Sequence, residues 1–142
     1  MQVKLLSGVL GAEIDGINLK DISAKNFKVI NNLLLEHKVL FLRNQHITSE
    51  EQIALAKCFG PLERHVYVKG RDNYPEIVRI TKGANEKHQW GETWHTDVSY
   101  NAVAIWDNRS VIHQGLTDFF PGRGLGYERI MDRIAIEGDR PN

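Results

Sequence analysis

Val39-Leu40-Phe41-Leu42 is a short, unbroken apolar run set between two helix signals, and the first half of the chain is organised around it. Four consecutive apolar residues with polar neighbours suit a buried strand better than one turn of helix. On its N-terminal side, Ser23 can cap a run that carries Phe27, Ile30, Leu33 and Leu34 on one stripe and ends near Glu36-His37. On its C-terminal side, Thr48 with Glu51 three positions on forms a capping box, and Gly60-Pro61 is a stop signal. Helix, strand and helix packed in one layer is the simplest arrangement. The single cysteine, Cys58, lies in the apolar stretch Ile53 to Phe59, so a buried thiol is expected and an internal disulfide is excluded.

After Pro61 the pattern changes. Ile77-Val78-Arg79-Ile80, Trp94 to Tyr100, Val103 to Trp106 and Arg129 to Ile136 read as strands separated by Gly, Asn, Asp and Pro, which predicts an antiparallel sheet. Two polar stretches, Lys82 to Glu92 and Leu116 to Gly126, are long for turns and suit active-site loops or surface connections.

The composition sets the outer bounds. With 142 residues, 18 Lys+Arg against 18 Asp+Glu and 42% apolar residues, the chain has the balance of one ordinary domain. Zero formal net charge argues against binding nucleic acid or anionic lipid by bulk electrostatics, which needs a basic excess. A small molecule is the expected partner. No run approaches the ~20 apolar residues of a membrane span. The N-terminal apolar stretch is too short for a signal peptide and is soon interrupted by Glu13 and Asp15, so a cytoplasmic location is expected.

Candidate chemistry gathers around Trp94-His95-Thr96-Asp97 and around His113. On a strand, residues i and i+2 point the same way, so His95 and Asp97 can present an imidazole and a carboxylate to one point. One more histidine completes the two-His, one-carboxylate set that holds non-haem Fe(II) on one face and leaves positions open. Each piece alone also has a plainer reading. His-x-Asp arises as surface polarity, and His113 after Val111-Ile112 suits a core-edge histidine bonded to a carbonyl. In Tyr127 to Ile134, Arg129 and Arg133 fall four apart and share a strand face with Met131, where two guanidinium forks can hold two anions. Ion pairing with Asp132, Glu128 or Glu137 is the alternative.

Taken together, these pieces resemble the taurine/alpha-ketoglutarate dioxygenase family of Fe(II)- and 2-oxoglutarate-dependent oxygenases, which includes taurine and 2,4-dichlorophenoxyacetate dioxygenases. The matching segments are Gly11-Ala12-Glu13-Ile14, His37 to Gln45, Phe59-Gly60-Pro61-Leu62 and Trp94-His95-Thr96-Asp97-Val98-Ser99. They continue with Ala104 to His113, Arg129-Ile130-Met131-Asp132-Arg133 and Gly138-Asp139-Arg140-Pro141. The resemblance implies a mainly β fold with flanking helices, a double-stranded β-helix or jelly roll. It implies that His95, Asp97 and His113 bind Fe(II) and that Arg129 pairs with the distal carboxylate of 2-oxoglutarate. Arg133 and, more loosely, His65 match positions that contact the substrate's anionic group. The implied reaction hydroxylates a small anionic molecule such as taurine, another sulfonate or a carboxylate, consuming O2 and 2-oxoglutarate and giving succinate and carbon dioxide. A homo-oligomer is also expected from the family.

The sequence departs from that family in one place. Asp97 and His113 are only 16 positions apart, where the family places several strands between them, and the break falls near Asn101-Ala102. A contiguous meander with turns near Asn101 and Asp107-Asn108 would bring His113 level with about residue 102. That is roughly 16 Å from Asp97 at ~3.3 Å per residue, whereas metal ligands lie ~2 Å from the ion. The chain is therefore expected to be a single dioxygenase domain, residues 1–142, with its middle strands missing at 101–102. Pro121 to Leu125 looks like an insertion that could reshape the substrate mouth. The competing expectations are a non-catalytic remnant or assembly module without a closed metal site, and a zinc site, which the 2-oxoglutarate arginine argues against.

Overall fold

The computed structural model describes residues 1–82, 102–111 and 129–137. The chain divides into two units, Met1–Pro61 with Val98–Val111 and Leu62–Asp97 with Ile112–Asn142.

In the first unit, local capping chemistry places the helices. Ser23 holds an extended conformation and its hydroxyl accepts from the Asn26 amide at 3.2 Å, which starts helix α1 over Ala24–His37. The helix ends on Lys38 in the left-handed region, φ 66°, with the Lys38 amide donating to the Leu34 carbonyl at 2.8 Å. Helix α2, Ser49–Phe59, opens on the expected capping box. Glu51 N donates to Thr48 Oγ1 at 3.3 Å, and Thr48 N donates to the Glu51 carboxylate at 2.7 Å. Gly60 ends it with φ 152°.

The strands β1 (Gln2–Leu5), β2 (Ala12–Asp15), β3 (Val39–Arg43) and, from far along the chain, β5 (Ala102–Trp106) form one sheet in the order β1-β2-β3-β5. β2 runs parallel to β3, a pairing that needs a long crossover, and α1 supplies it. The registers Ala12↔Leu40↔Ile105 and Ile14↔Leu42↔Val103 put six apolar side chains on one face. That face meets Ile17, Leu19, Ile30, Leu34 and Leu55 to make the core, with Leu40 and Leu42 fully buried. The opposite face carries Glu13, Phe41 and Arg43, with Glu13 and Arg43 paired at 2.8 Å.

Two expectations are corrected here. Residues 103–106 do not belong to a separate second-half sheet. As β5 they close the edge of the first sheet along β3, Arg43↔Ala102 to Val39↔Trp106, because the Val-Ala-Ile pattern fits the apolar face of β3. Cys58 is exposed rather than buried. On α2, Leu55 and Phe59 share the inward side one turn apart, whereas Cys58 stands one turn beyond the exposed Ala54 and its thiol donates to the Ala54 carbonyl at 3.4 Å.

The second unit is built on β4 (Val78–Lys82) antiparallel to β6 (Arg129–Arg133). Ile77, at the entrance to β4, is fully buried. The strap after Pro61 is stitched to the end of β6 by a Leu62↔Ile136 bridge and by Glu63 N donating to the Ala135 carbonyl at 2.9 Å. The predicted strand Arg129 to Ile136 thus ends as strand at Arg133 and continues as that bridge. Among the described residues, no helix is long and apolar enough to cross a membrane.

Candidate functional site

Strand β6 separates two kinds of side chain by its period of two. In the register Val78↔Arg133, Ile80↔Met131 and Lys82↔Arg129, one face of the two-stranded sheet holds Val78, Ile80, Met131 and Arg133, all half-buried, in line with Arg129. The other face holds Arg79, Thr81, Ile130 and Asp132, where Arg79, Thr81 and Ile130 are exposed. The expected sharing of one face by Arg129, Met131 and Arg133 is therefore met by the backbone. The side chain of Arg129 lies outside what the structure describes.

Asp132 settles part of the ion-pairing question. Its carboxylate faces away from Arg133 and is taken by Arg79, directly opposite, through Nε–Oδ1 and Nη2–Oδ2 bonds of 2.7 Å each. Arg71 adds a third bond at 3.2 Å and also lies over the Tyr74 ring, 5.3 Å from its centroid. Hydrogen bonding from Arg79 holds the Asp132 carboxyl below its ordinary value, against the opposing effect of burial. With Asp132 so engaged, Arg133 has no ion-pair partner among the described residues, and its half-buried guanidinium can take an external anion.

His65 stands on the strap beside β6. The Leu62↔Ile136 bridge, three residues before His65, joins the strap to the chain just after β6. Arg64, just before it, is held by Glu76 through bonds of 3.1 and 2.8 Å. His65 is exposed, and its Nδ1 accepts from the amides of Tyr67 at 3.2 Å and Val68 at 3.0 Å.

The three expected metal ligands, His95, Asp97 and His113, lie outside the described residues, as do the predicted strand Trp94 to Tyr100, the polar stretches after Lys82 and before Gly126, and the Pro121 to Leu125 insertion. Among the described residues no group of three or more His, Cys, Asp or Glu could hold a metal ion. The turn leading toward His113 is described, and it contains a constellation to which sequence reading gave no role. Asp107, 9% exposed, accepts from Arg109 Nε at 2.9 Å, Arg109 Nη2 at 3.1 Å, the Arg109 amide at 3.1 Å and Ser110 Oγ at 3.2 Å. Led by the Arg109 hydrogen bond, these contacts pull its carboxyl down to about 2. Its own amide donates to the Lys38 carbonyl at 3.0 Å, which ties the turn to the end of α1. The signal lay in Asp-Asn-Arg-Ser directly after an apolar strand, a pattern suited to a turn whose acid bonds its own backbone.

Comparison with known proteins bears on the whole site. An "Alkylsulfatase" of Acinetobacter baylyi is 36% identical over 102 residues, 70% of this chain and 31% of that protein. An "Alpha-ketoglutarate-dependent sulfate ester dioxygenase" of Pseudomonas putida is 30% identical over 102 residues, 70% of this chain and 33% of that protein. Among solved structures, a putative alpha-ketoglutarate-dependent taurine dioxygenase from Burkholderia xenovorans superposes with a TM-score of 0.53 at 31% identity, over 60% of this chain and 31% of that one. The chain spans about a third of the length of these relatives. Residues 2–103 match the sequence model described as "Taurine catabolism dioxygenase TauD, TfdA family", a match that takes in β1 to β4, both helices and the His95-Thr96-Asp97 motif, and the chain belongs to that family.

Proposed function

We propose that the chain is the scaffold and substrate-anion side of an Fe(II)- and 2-oxoglutarate-dependent dioxygenase that hydroxylates a small anionic organic molecule. The observation that carries this reading is Arg133. It sits half-buried on the Met131 face of β6 while the neighbouring carboxylate is turned to the other face and neutralised there by Arg79 and Arg71. The alternation of the strand, with Asp132 engaged on the other face, leaves Arg133 without an ion-pair partner among the described residues and able to receive an anion.

In this reading His95, Asp97 and His113 hold the metal, since two imidazoles and a carboxylate suit Fe(II) and leave coordination positions open. Bound Fe(II), with 2-oxoglutarate and O2, supplies the oxidation that hydroxylates substrate carbon and yields succinate and carbon dioxide. Arg129 pairs with the distal carboxylate of 2-oxoglutarate. Arg133 and His65 grip the substrate's anionic end and so fix which carbon is presented, the share of catalysis that positioning provides. A relative named for sulfate esters and a solved structure named for taurine support a sulfate ester or sulfonate as substrate class, and a relative named for (S)-phenoxypropionate keeps a carboxylate within it. A jelly roll with its middle strands absent at 101–102 is the architecture we assign, in a single domain that associates as a homo-oligomer. It is supported by a family match that stops at residue 103.

The test is anaerobic addition of Fe(II) and 2-oxoglutarate to the purified chain. A visible metal-to-ligand charge-transfer band that disappears in His95→Ala is expected. Absence of the band, with iron bound no more tightly than at adventitious sites, would instead identify a non-catalytic module of this fold. Zinc retention without the band would identify a different metal chemistry.

A further inference from the structure

The alternation of hydrogen bonds along the β1–β2 hairpin decides which backbone groups of β1 face outward. The Leu6 amide donates to the Gly11 carbonyl at 3.0 Å, and the register continues from that pair through Leu5↔Ala12, Lys4↔Glu13, Val3↔Ile14 and Gln2↔Asp15. Bonded and non-bonded pairs alternate in an antiparallel ladder. Lys4 and Gln2 therefore turn their N–H and C=O groups to β2, whereas those of Val3 and Leu5 point to the free edge. Their side chains lie on the face where Ile14 and Ala12 are buried in the core, yet Val3 is 40% and Leu5 54% exposed. The apolar face of the sheet thus runs one strand beyond the described residues that cover it.

We propose that this edge pairs with the same edge of a second copy of the chain, antiparallel about a two-fold axis through Val3, joining two four-stranded sheets into one. Met1-Gln2-Val3-Lys4-Leu5 alternates apolar and polar residues symmetrically about Val3, and a two-fold interface requires a surface that is its own complement. In this register Val3 meets Val3 of the partner subunit and Leu5 meets Met1 of the partner subunit. The outward amides of Val3 and Leu5 then find carbonyls, and the exposed apolar ledge is extended by its own copy. On the other face Lys4 meets Gln2 of the partner subunit. An axis through Lys4 would satisfy the same amides but set two lysines directly opposite each other, which is destabilising, so charge selects the axis at Val3. A four-residue edge buries little area, and the dimer is expected to be weak, with a Kd on the order of micromolar to millimolar. This pairing gives the homo-oligomer assigned above an interface and rests on none of the dioxygenase chemistry.

Sedimentation equilibrium of the full chain up to ~1 mM should show a reversible monomer–dimer equilibrium. Val3→Pro removes an outward N–H and leaves the β1–β2 bonds in place, because proline is tolerated where an edge strand's N–H faces away from the sheet. It should weaken association by at least about tenfold with the far-ultraviolet circular dichroism unchanged. The register is read by cross-linking in a Cys58→Ser background, so that the exposed native thiol takes no part. Val3→Cys places two thiols on opposed residues with Cα atoms about 5.5 Å apart, within disulfide reach, and should give a covalent dimer on mild oxidation. Lys4→Cys offsets the two thiols by two residues along the strands, about 8 Å between Cα atoms, and should give none. A chain that stays monomeric overturns the proposal. So does association that Val3→Pro leaves unchanged, or a covalent dimer through Lys4→Cys in place of Val3→Cys. The charge-transfer test of the dioxygenase reading is decided separately from all three.

Discussion

At Asp107 a single carboxylate closes a turn, takes a guanidinium fork and, through its own amide, fastens the turn to the C-terminus of α1. Its pKa is about 2 when folded against an ordinary 3.8. The unfolded chain therefore binds its proton first as acid is added. The stabilisation is present above about pH 4 and is lost as pH falls toward 2. Urea titrations at pH 7 and pH 2.5 should show that loss, and Asp107→Asn should remove most of the difference. At pH 7 that substitution should cost about 1–2 kcal/mol, the lower part of the range for hydrogen bonds to charged groups, because the Arg109 side chain is 69% exposed and water screens the pair. The left-handed Lys38 gives the opposite sign. Lys38→Gly relieves a backbone conformation unfavourable to any side chain, at the loss of an exposed Nζ bond to the Leu35 carbonyl. It should raise the stability of the chain by about 0.5–1 kcal/mol, measurable as a higher urea midpoint with unchanged m-value.

Among the elements, β3 carries the heaviest packing. Leu40 and Leu42 are wholly buried and face partners from β2 and β5, so Leu42→Ala should cost about 2–5 kcal/mol by denaturant unfolding, whereas Arg43→Ala on the exposed side should cost under about 1. The two helices and β3 were legible in the sequence because their signals are local: a capping serine, a capping box, a glycine stop, an apolar run. β1 and β2 were not, since each is four residues long and β1 exposes Val3 and Leu5. The common face of Arg129, Met131 and Arg133 was readable from a period of two. The partner of Asp132 was not, because Arg79 is 53 residues away and only the sheet register brings it opposite. Cys58 was misplaced for a related reason. An apolar run does not say which side of the helix is inward, and the inward side is set by Leu55 and the core it meets.

On the scale of the molecule, the sheet of the first unit has β1 at one end and β5 at the other, and β1, with Val3 and Leu5 exposed, has an edge that no other strand pairs with among the described residues. Val3→Lys should lower concentration-dependent association in sedimentation velocity, the usual effect of a charge on a strand edge. The other end has a history in time. β3 is finished at Arg43, but the strand that covers its free edge begins at Ala102. At the ~5–20 residues per second of ribosomal synthesis, the bare edge of β3 waits about 3–12 s for its partner to be made. During that interval the nascent chain offers Val39 to Arg43 to any passing strand. The long excursion through the second unit therefore sets a window of vulnerability during birth, one in which a chaperone that shields extended apolar segments would act on this strand before all others.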